Sequence, residues 1–304
     1  MVNLKKSEKI SVLRGGISDE KEISILTANQ VYKTLQKKYN TTLIDVDHDC
    51  NKLINDLIKS KPDKVFNCLH GIFGEDGQLQ SILNYLKIPY THSGVLASSI
   101  AMNKVVSKYF YKSLGIRFPQ NYDINRKFTD SSYPFIVKPI CGGSSKNLLK
   151  IKNEKQLNDF KNNDSDELHK YMVEKFIEGR EITVGILEDK ICGIMEIIFD
   201  SEIYDFKNKY QVIAKHVLEP KLPENIKNKL KDISLKIHKA LNCKCISRLD
   251  FRYNTKSKEL FLLEINTQPG LTKDSLLPEM ARSKGTEFLE LCEILLSYAE
   301  CEFL

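Results

Sequence analysis

The chain contains no tryptophan and no Cys-x-x-Cys pair, and its eight cysteines are scattered over 304 residues. The nearest two, in Cys243-Lys244-Cys245, would point to opposite faces of a strand. That pattern excludes a disulfide framework and a cysteine-built zinc site; reduced, buried or incidental thiols are expected. No apolar run reaches the roughly 18 residues of a membrane span. The opening Met1-Val2-Asn3-Leu4-Lys5-Lys6 lacks the apolar core of a secretion signal, so a cytoplasmic location is expected. The net charge is +6, but no basic cluster alternates with aromatics. Nucleic acid is therefore not an expected partner, while the spread of lysines suits small anionic substrates. There is no internal repeat.

What is present is a chain 41% hydrophobic, long enough for two or three domains with their own cores. The first hundred residues alternate strand and helix signals. Strands are predicted at 10–13, 42–46 and 64–67. Helices are predicted from a cap at Ser18 or Asp19 to about residue 38, then at 51–59 and 78–86. This order implies a mostly parallel sheet with helices on its faces. A helix over 97–114 follows. After Pro119 the rhythm changes to strands at 135–138 and 148–151, a helix at 155–160 and a strand at 172–176. From Glu181 onward come strands at 181–187 and 191–198, a loop over 200–221, a helix at 224–241, a hairpin and a last helix at 288–299. The expected class is α/β and α+β, with divisions at 1–96, 97–180 and 181–304.

The hairpin is the most telling element. Arg248-Leu249-Asp250-Phe251 and Leu263-Glu264-Ile265-Asn266 flank the polar turn 254–258. If Asp250 sits opposite Glu264, Leu249 faces Ile265, Phe251 faces Leu263 and Tyr253 faces Phe261. One face is then apolar, and the other carries Arg248, Asp250, Glu264 and Asn266. Two directly opposed carboxylates repel. A hard divalent cation would remove that repulsion, with the Asn266 carbonyl as a further ligand. A solvated polar face is the plainer reading of the same pattern.

Several loops have chemistry-bearing residues. Cys141-Gly142-Gly143-Ser144-Ser145 lies between two strands, where glycine amides and serine hydroxyls make either a phosphate cradle or a simple turn. It is not a P-loop, since no Gly-Lys-Ser/Thr follows. Lys104 and Lys138 could reach phosphates as point charges, or be ordinary surface lysines. Glu174 and Glu181 flank Lys175-Phe176-Ile177-Glu178-Gly179, and an acid at such a place accepts from ribose or an amino group. In an open α/β sheet ligands bind at the carboxyl ends of strands. The loops Gly15–Glu20 and His70–Gln78 occupy such positions. Glu20 there suits a substrate ammonium as well as a helix N-terminus. Thr267-Gln268-Pro269-Gly270-Leu271-Thr272 is a tight turn whose amides can face a carboxylate. Ser275 reads as a helix cap before Leu276.

Taken in order, these segments resemble the D-alanine–D-alanine ligases of the ATP-grasp superfamily. The resemblance runs over nearly the whole chain. It begins with Gly15-Gly16-x-Ser18-x-Glu20-x-Glu22-x-Ser24 and His70-Gly71-x-x-Gly74-Glu75-Asp76-Gly77-x-x-Gln80. It continues through Met102-x-Lys104, Val137-Lys138-Pro139, Gly143-Ser144-Ser145 and Glu174-Lys175-x-x-x-Gly179-x-Glu181-x-Thr183-Val184. Tyr204-Asp205-x-x-x-Lys209-Tyr210 and Arg248-x-Asp250 come next. The series closes with Leu263-Glu264-x-Asn266-Thr267-x-Pro269-Gly270-x-Thr272 and Ser275-Leu276-x-Pro278.

The resemblance implies an ATP-grasp fold, in which two α+β lobes sandwich ATP behind an N-terminal α/β domain. It implies ATP-dependent joining of two D-alanines through an acyl phosphate, for peptidoglycan precursors. Asp250, Glu264 and Asn266 would hold two Mg²⁺ or Mn²⁺ ions. Lys104, Lys138, Ser145, Glu174, Lys175, Phe176, Ile177, Glu181 and Lys209 would bind ATP. Glu20, with His70 nearby, would hold the first D-alanine. Ser144 and Tyr210 would link to Glu20, and the 200–221 loop would be a lid. Arg248 and the Gly270 amide would stabilise an oxyanion, and Ser275 and Leu276 would place the second D-alanine. A homodimer is also what the family implies. The chain departs from the family where Gly142 and Lys146-Asn147 replace an acid and a Val-Gly pair, and where Gln268 replaces a smaller Ser or Thr. The competing readings are a ligase for D-serine or D-lactate as second substrate, and a non-catalytic nucleotide-binding relative.

Overall fold

A computed structural model describes residues 4–126, 128–129, 132–143, 147–163, 165–199, 214–272 and 274–302. The candidates Ser144, Ser145, Lys209 and Tyr210 lie outside the described residues, as does most of the predicted lid.

The N-terminal part follows the predicted alternation. Strands β1 (Lys9–Gly15), β2 (Asn40–Val46) and β3 (Lys64–Asn67) form a parallel sheet in the order β2-β1-β3. Helices α1 (Lys21–Leu35), α2 (Cys50–Ser60) and α3 (Gln78–Tyr85) connect and cover it. Ser18 and Asp19 do not cap α1. The N-cap is Glu20, without a side-chain cap bond; the Ser18 hydroxyl donates to the His70 carbonyl at 2.5 Å and accepts from Glu20 N at 3.2 Å, ahead of the first turn. The helix stops at Leu35, whose carbonyl accepts from both Lys38 N and Tyr39 N and closes a turn.

The predicted helix over 97–114 is two helices, α4 (Val95–Met102) and α5 (Lys104–Ser113). Asn103 breaks them: its backbone is extended (φ −88°, ψ 99°), and its side chain accepts from Val105 N at 3.2 Å and Val106 N at 3.1 Å. An asparagine can leave a helix and cap the next with its own oxygen, which apolar periodicity does not reveal. The break makes Lys104 the first residue of α5.

A second sheet is antiparallel: β4 (Asn121–Tyr122), β5 (Phe135–Pro139), β6 (Leu149–Ile151) and β7 (Tyr171–Lys175), in the order β4-β7-β5-β6. Helix α6 (Glu154–Asn163) buries Leu157 and Phe160 against Phe135, Val137 and Val173.

The third sheet has the order β10-β9-β8-β11-β12, formed by β8 (Arg180–Leu187), β9 (Lys190–Ile198), β10 (Lys215–Leu218), β11 (Ile246–Asn254) and β12 (Glu259–Asn266). β10 falls inside the predicted 200–221 loop. Helix α7 (Glu224–Ala240) packs on one face; α8 (Leu276–Ser283) and α9 (Phe288–Ser297) lie on the other. Coverage on both sides explains why β8 reads as a nearly unbroken apolar run. The α8–α9 core also takes in Ala28, Val31 and Leu35 of α1, so the first and last segments of the chain share one apolar cluster.

In the hairpin Asp250 pairs with Glu264 and Leu249 with Ile265, as predicted. Beyond Asp250 the register slips, so that Phe251 meets Leu262 and Tyr253 meets Leu260. The expected Phe251–Leu263 and Tyr253–Phe261 pairs do not form. The extra residue is a β-bulge, which re-aims a side chain. Here it places Leu263 beside Glu264 on the cleft wall.

The Asn103 cap yields a stability test. Asn103→Ala should cost about 1 kcal/mol and lower Tm by about 2 °C, whereas Asn103→Asp should retain the cap. Thermal unfolding followed by circular dichroism checks both; equal Tm for all three chains would remove the cap from the account.

Candidate active site

A cleft of about 650 Å³ opens between the second and third sheets and reaches the N-terminal domain. Glu20, Lys104, Lys138, Glu174, Lys175, Phe176, Ile177, Glu181, Asp250 and Glu264 all line it. Arg248, His70, Asn266, Gly270, Ser275 and Leu276 do not line it. They stand behind or beside those that do.

At the nucleotide-sized end, β5 and β7 bring two residues together. Lys138 Nζ lies 2.7 Å from Glu174 Oε1, both side chains being buried. The other carboxylate oxygen is held at 2.5 Å by Lys108 Nζ, which also donates to the Pro119 carbonyl at 3.0 Å and to Asn121 Oδ1. Burial opposes ionisation of Glu174, but the two lysines outweigh it and hold its pKa below the ordinary value. Lys108 is the reverse case: burial lowers its pKa to about 8 despite Glu174. Lys104 Nζ donates to the Gly142 carbonyl at 2.6 Å and lies 3.9 Å from Glu264 Oε2. Its pKa is lowered chiefly by burial, with Glu264 pulling the other way. Glu181 faces Arg252 across β8–β11, and their charged ends are 3.0 Å apart. The Phe176 ring carries Lys150 Nζ at 3.8 Å from its centre.

At the hairpin, Arg248 forks onto Asp250, with Nε 3.0 Å from Oδ1 and Nη2 2.8 Å from Oδ2. Thr183 Oγ1 donates to the same Oδ1 at 2.7 Å. Asn266 Oδ1 accepts from Gln268 N at 2.8 Å. Two carboxylates and an amide carbonyl are a hard-oxygen donor set, which fits a small divalent cation that completes its shell with phosphate oxygens. No group of three or more His, Cys, Asp or Glu with metal-binding spacing exists among the described residues.

At the N-terminal end, Glu20 is buried against two glycines. A Cβ on Gly71 (φ +71°) would lie 2.8 Å from Glu20 Oε2, and one on Gly143 2.9 Å from it. Glycine at both places is what lets the loop after β3 and the loop after β5 close on this carboxylate. His70 Nδ1 lies 2.7 Å from Glu75 Oε1, and its Nε2 3.3 Å from Thr27 Oγ1. Burial disfavours the imidazolium, but Glu75 and then Glu20 overcome it and raise the His70 pKa.

Beyond the hairpin, Ser275 occupies the N-cap position of α8 without a side-chain cap bond. Its hydroxyl turns back instead, 3.0 Å from Thr272 N and 2.8 Å from Thr272 Oγ1, close against Gly270. Leu276 is buried in the core at the start of that helix.

Sequence reasoning missed Lys108, Arg252 and Leu263. Lys108 stands four residues after Lys104 on α5, a spacing that shares a helix face. Arg252 continues the period-two face of Arg248 and Asp250. Both signals were present in the sequence. Leu263 had none, because the bulge that turns it toward the cleft leaves no mark on the pattern.

Comparison with known proteins is consistent along the chain. Residues 115–297 match the family model described as the D-ala D-ala ligase C-terminus. The D-alanine–D-alanine ligase of Wolbachia pipientis wMel is 42% identical over 295 residues, 94% of this chain and 93% of that protein. The enzyme of the same name from Sinorhizobium medicae is 38% identical over 307 residues, covering 97% and 99%. Among solved structures, the Bacillus anthracis D-alanine–D-alanine ligase complexed with ATP superposes with a TM-score of 0.81, at 29% identity and 96% and 97% coverage. With a family model over more than half its length and relatives this similar from end to end, the chain belongs to the D-alanine–D-alanine ligases and has their ATP-grasp fold.

Proposed function

We propose that the chain joins two D-alanines into D-alanyl-D-alanine with ATP, a building block for peptidoglycan precursors. The observation that carries this reading is a single cleft lined both by Glu20 and by the Lys104, Lys138, Glu174, Asp250 and Glu264 set. A plain nucleotide-binding module has no use for a buried carboxylate suited to an ammonium beside its phosphate loop.

The division of labour follows the three segments. Segment 1–96 supplies Glu20 and His70 for the first D-alanine. Segments 97–180 and 181–304 close on ATP. Glu174 accepts from the adenine amino group, with Lys175, Phe176, Ile177 and Leu263 framing the base, and Glu181 accepts from the ribose. Lys104 and Lys138 neutralise phosphate oxygens, to which Ser145 would donate, while Ser144 would link to Glu20. Asp250, Glu264 and Asn266 would hold Mg²⁺, which when bound counters the charge on the transferring phosphoryl group.

The first D-alanine carboxylate attacks the γ-phosphate; the bond to the bridging β-phosphate oxygen breaks, ADP leaves with the electron pair, and an acyl phosphate forms. Positioning does most of this work, because phosphoryl transfer asks little covalent chemistry of the protein. The second D-alanine, placed by Ser275 and Leu276, attacks the acyl carbonyl with its amine; the C–O bond to phosphate breaks, inorganic phosphate leaves, and the nitrogen loses a proton to give the dipeptide. Arg248 and the Gly270 N–H meet the charge that develops on the carbonyl oxygen. The segment with Lys209 and Tyr210 excludes water from the acyl phosphate. The family further implies a homodimer in the cytoplasm. No helix among the described residues is long and apolar enough to cross a membrane.

Phosphate release from ATP and Mg²⁺ should require D-alanine and match D-alanyl-D-alanine formed; L-alanine, D-serine alone or D-lactate as acceptor should not substitute. Release that ignores D-alanine would sink the ligase reading. Glu264→Gln should abolish turnover while the circular dichroism spectrum and Tm stay as in the parent, and near-normal activity would refute the metal assignment. Lys108→Met should leave Glu174 with one buried cation and weaken ATP binding by about tenfold. Titration calorimetry with ATP measures this; unchanged affinity would remove Lys108 from the nucleotide site.

A further inference from the structure

Gln268 stands where the family carries a smaller residue, and its side chain does not enter the cleft. It is 2% exposed and reaches into the N-terminal domain. Its Oε1 accepts from Asn67 Nδ2 at 2.8 Å, and its Nε2 donates to the Leu69 carbonyl. Asn67, 1% exposed, is equally committed. Its Nδ2 also donates to the Gly74 carbonyl at 2.8 Å, and its Oδ1 accepts from Leu69 N at 3.0 Å. Gln80 adds a second donor to the Gly74 carbonyl at 2.9 Å. On the other side, the backbone N–H of Gln268 holds Asn266 Oδ1 at 2.8 Å.

These bonds form one buried, uncharged path. It starts at Asn266 at the end of β12, passes through Gln268 and Asn67, and ends in the loop that carries His70 and Glu75. Neutral buried amides hold a fixed geometry only while each partner is present, since an orphaned one is costly. The path joins the two places whose separation matters most. One is the pocket of Glu20 and His70, where the acyl phosphate would form. The other is the loop through Gly270 to Ser275, from which the attacking amine would come.

We propose that Gln268 and Asn67 are positioning residues that latch these two places together, and so set how completely phosphoryl transfer is coupled to peptide-bond formation. The proposal rests on the ligase reading of the site. A displacement of about an ångström between reacting groups is enough to slow a positioned reaction strongly. With the latch slack, water adds to the acyl carbonyl in place of the amine. The C–O bond to phosphate breaks, phosphate leaves with the electron pair, and D-alanine is returned. ATP is then consumed without dipeptide.

The test measures phosphate and dipeptide in the same reaction of the full chain with ATP, Mg²⁺ and D-alanine. The parent should give a ratio near one. Gln268→Ala and Asn67→Ala should each lower kcat for dipeptide about tenfold and raise the phosphate-to-dipeptide ratio above one. KM for ATP should change by less than about twofold, since neither residue lines the nucleotide pocket. The double variant should be no worse than either single one, because both remove the same link. Unchanged coupling in Gln268→Ala overturns the latch, as do fully additive losses or equal rises in both KM values with the ratio at one. Should Gln268→Ala fail to fold, Asn67→Ser tests the link from the other side with the same expected ratio. A parent chain that makes no dipeptide overturns the ligase reading and the latch together. A parent that turns over normally beside normal variants overturns the latch alone.

Discussion

The opposition of Asp250 and Glu264 is the constraint around which the cleft is arranged. At the effective dielectric of a protein surface, two like charges about 4 Å apart repel by about 4 kcal/mol. Each of the two is therefore given its own cation, and from a different direction. Arg248, two residues along the same strand face, forks onto Asp250. Lys104 approaches Glu264 from the first turn of α5. Lys104 can do so only because Asn103 ends one helix and caps the next. A break in a helix far from the hairpin in sequence thus helps to balance the charge on it. The same Lys104 anchors the Gly142 carbonyl, so the phosphate loop and the hairpin are tied to one ammonium.

Much of this was legible before any coordinates. The supposed register with Asp250 opposite Glu264 is the one the hairpin has, and the strand–helix alternation of the first hundred residues gave the three-stranded parallel sheet. The places where the reading failed share a physical cause. At Asn103 and Ser18 a polar side chain sets the local backbone: Asn103 caps the second helix, and Ser18 bonds the His70 carbonyl and Glu20 N in place of the first turn of α1. The sequence shows which donor or acceptor is available, not which partner is nearer. The bulge after Asp250 is a similar case: one extra residue in β12 shifts every later pair by one, and both registers keep apolar residues on the core face.

The site was legible as a set of residue types and poorly legible as a set of pairs. Glu174 and Lys138 were identified separately, as an acceptor and a phosphate cation. In the fold they are one ion pair, completed by Lys108 from α5. Glu181 was identified without Arg252, its cross-strand partner. Gln268 was visible as a departure from the family pattern, and its position suggested an effect on the second substrate. Only the fold shows that its amide is committed to Asn67 at the end of β3 and to Leu69 just beyond it, about two hundred positions earlier in the chain.

The buried charges explain why such pairs are worth their desolvation. Replacing a buried ion pair with apolar groups is often neutral or favourable for stability, so stability alone does not account for Glu174 between two lysines. A carboxylate fixed by two cations cannot rotate, and it presents a defined acceptor edge to whatever enters the cleft. Burial acts on the lysines in turn: it has brought Lys108 to about 8 and lowered Lys104, against the pull of Glu174 and Glu264. Such ammonium groups are poorly solvated before a ligand arrives. An anionic phosphate meeting Lys104, which lines the cleft, displaces little water and restores the interaction that burial removed. The cleft thus holds its charges in advance in the geometry that polyphosphate chemistry requires, and the folding energy of three packed sheets keeps them there.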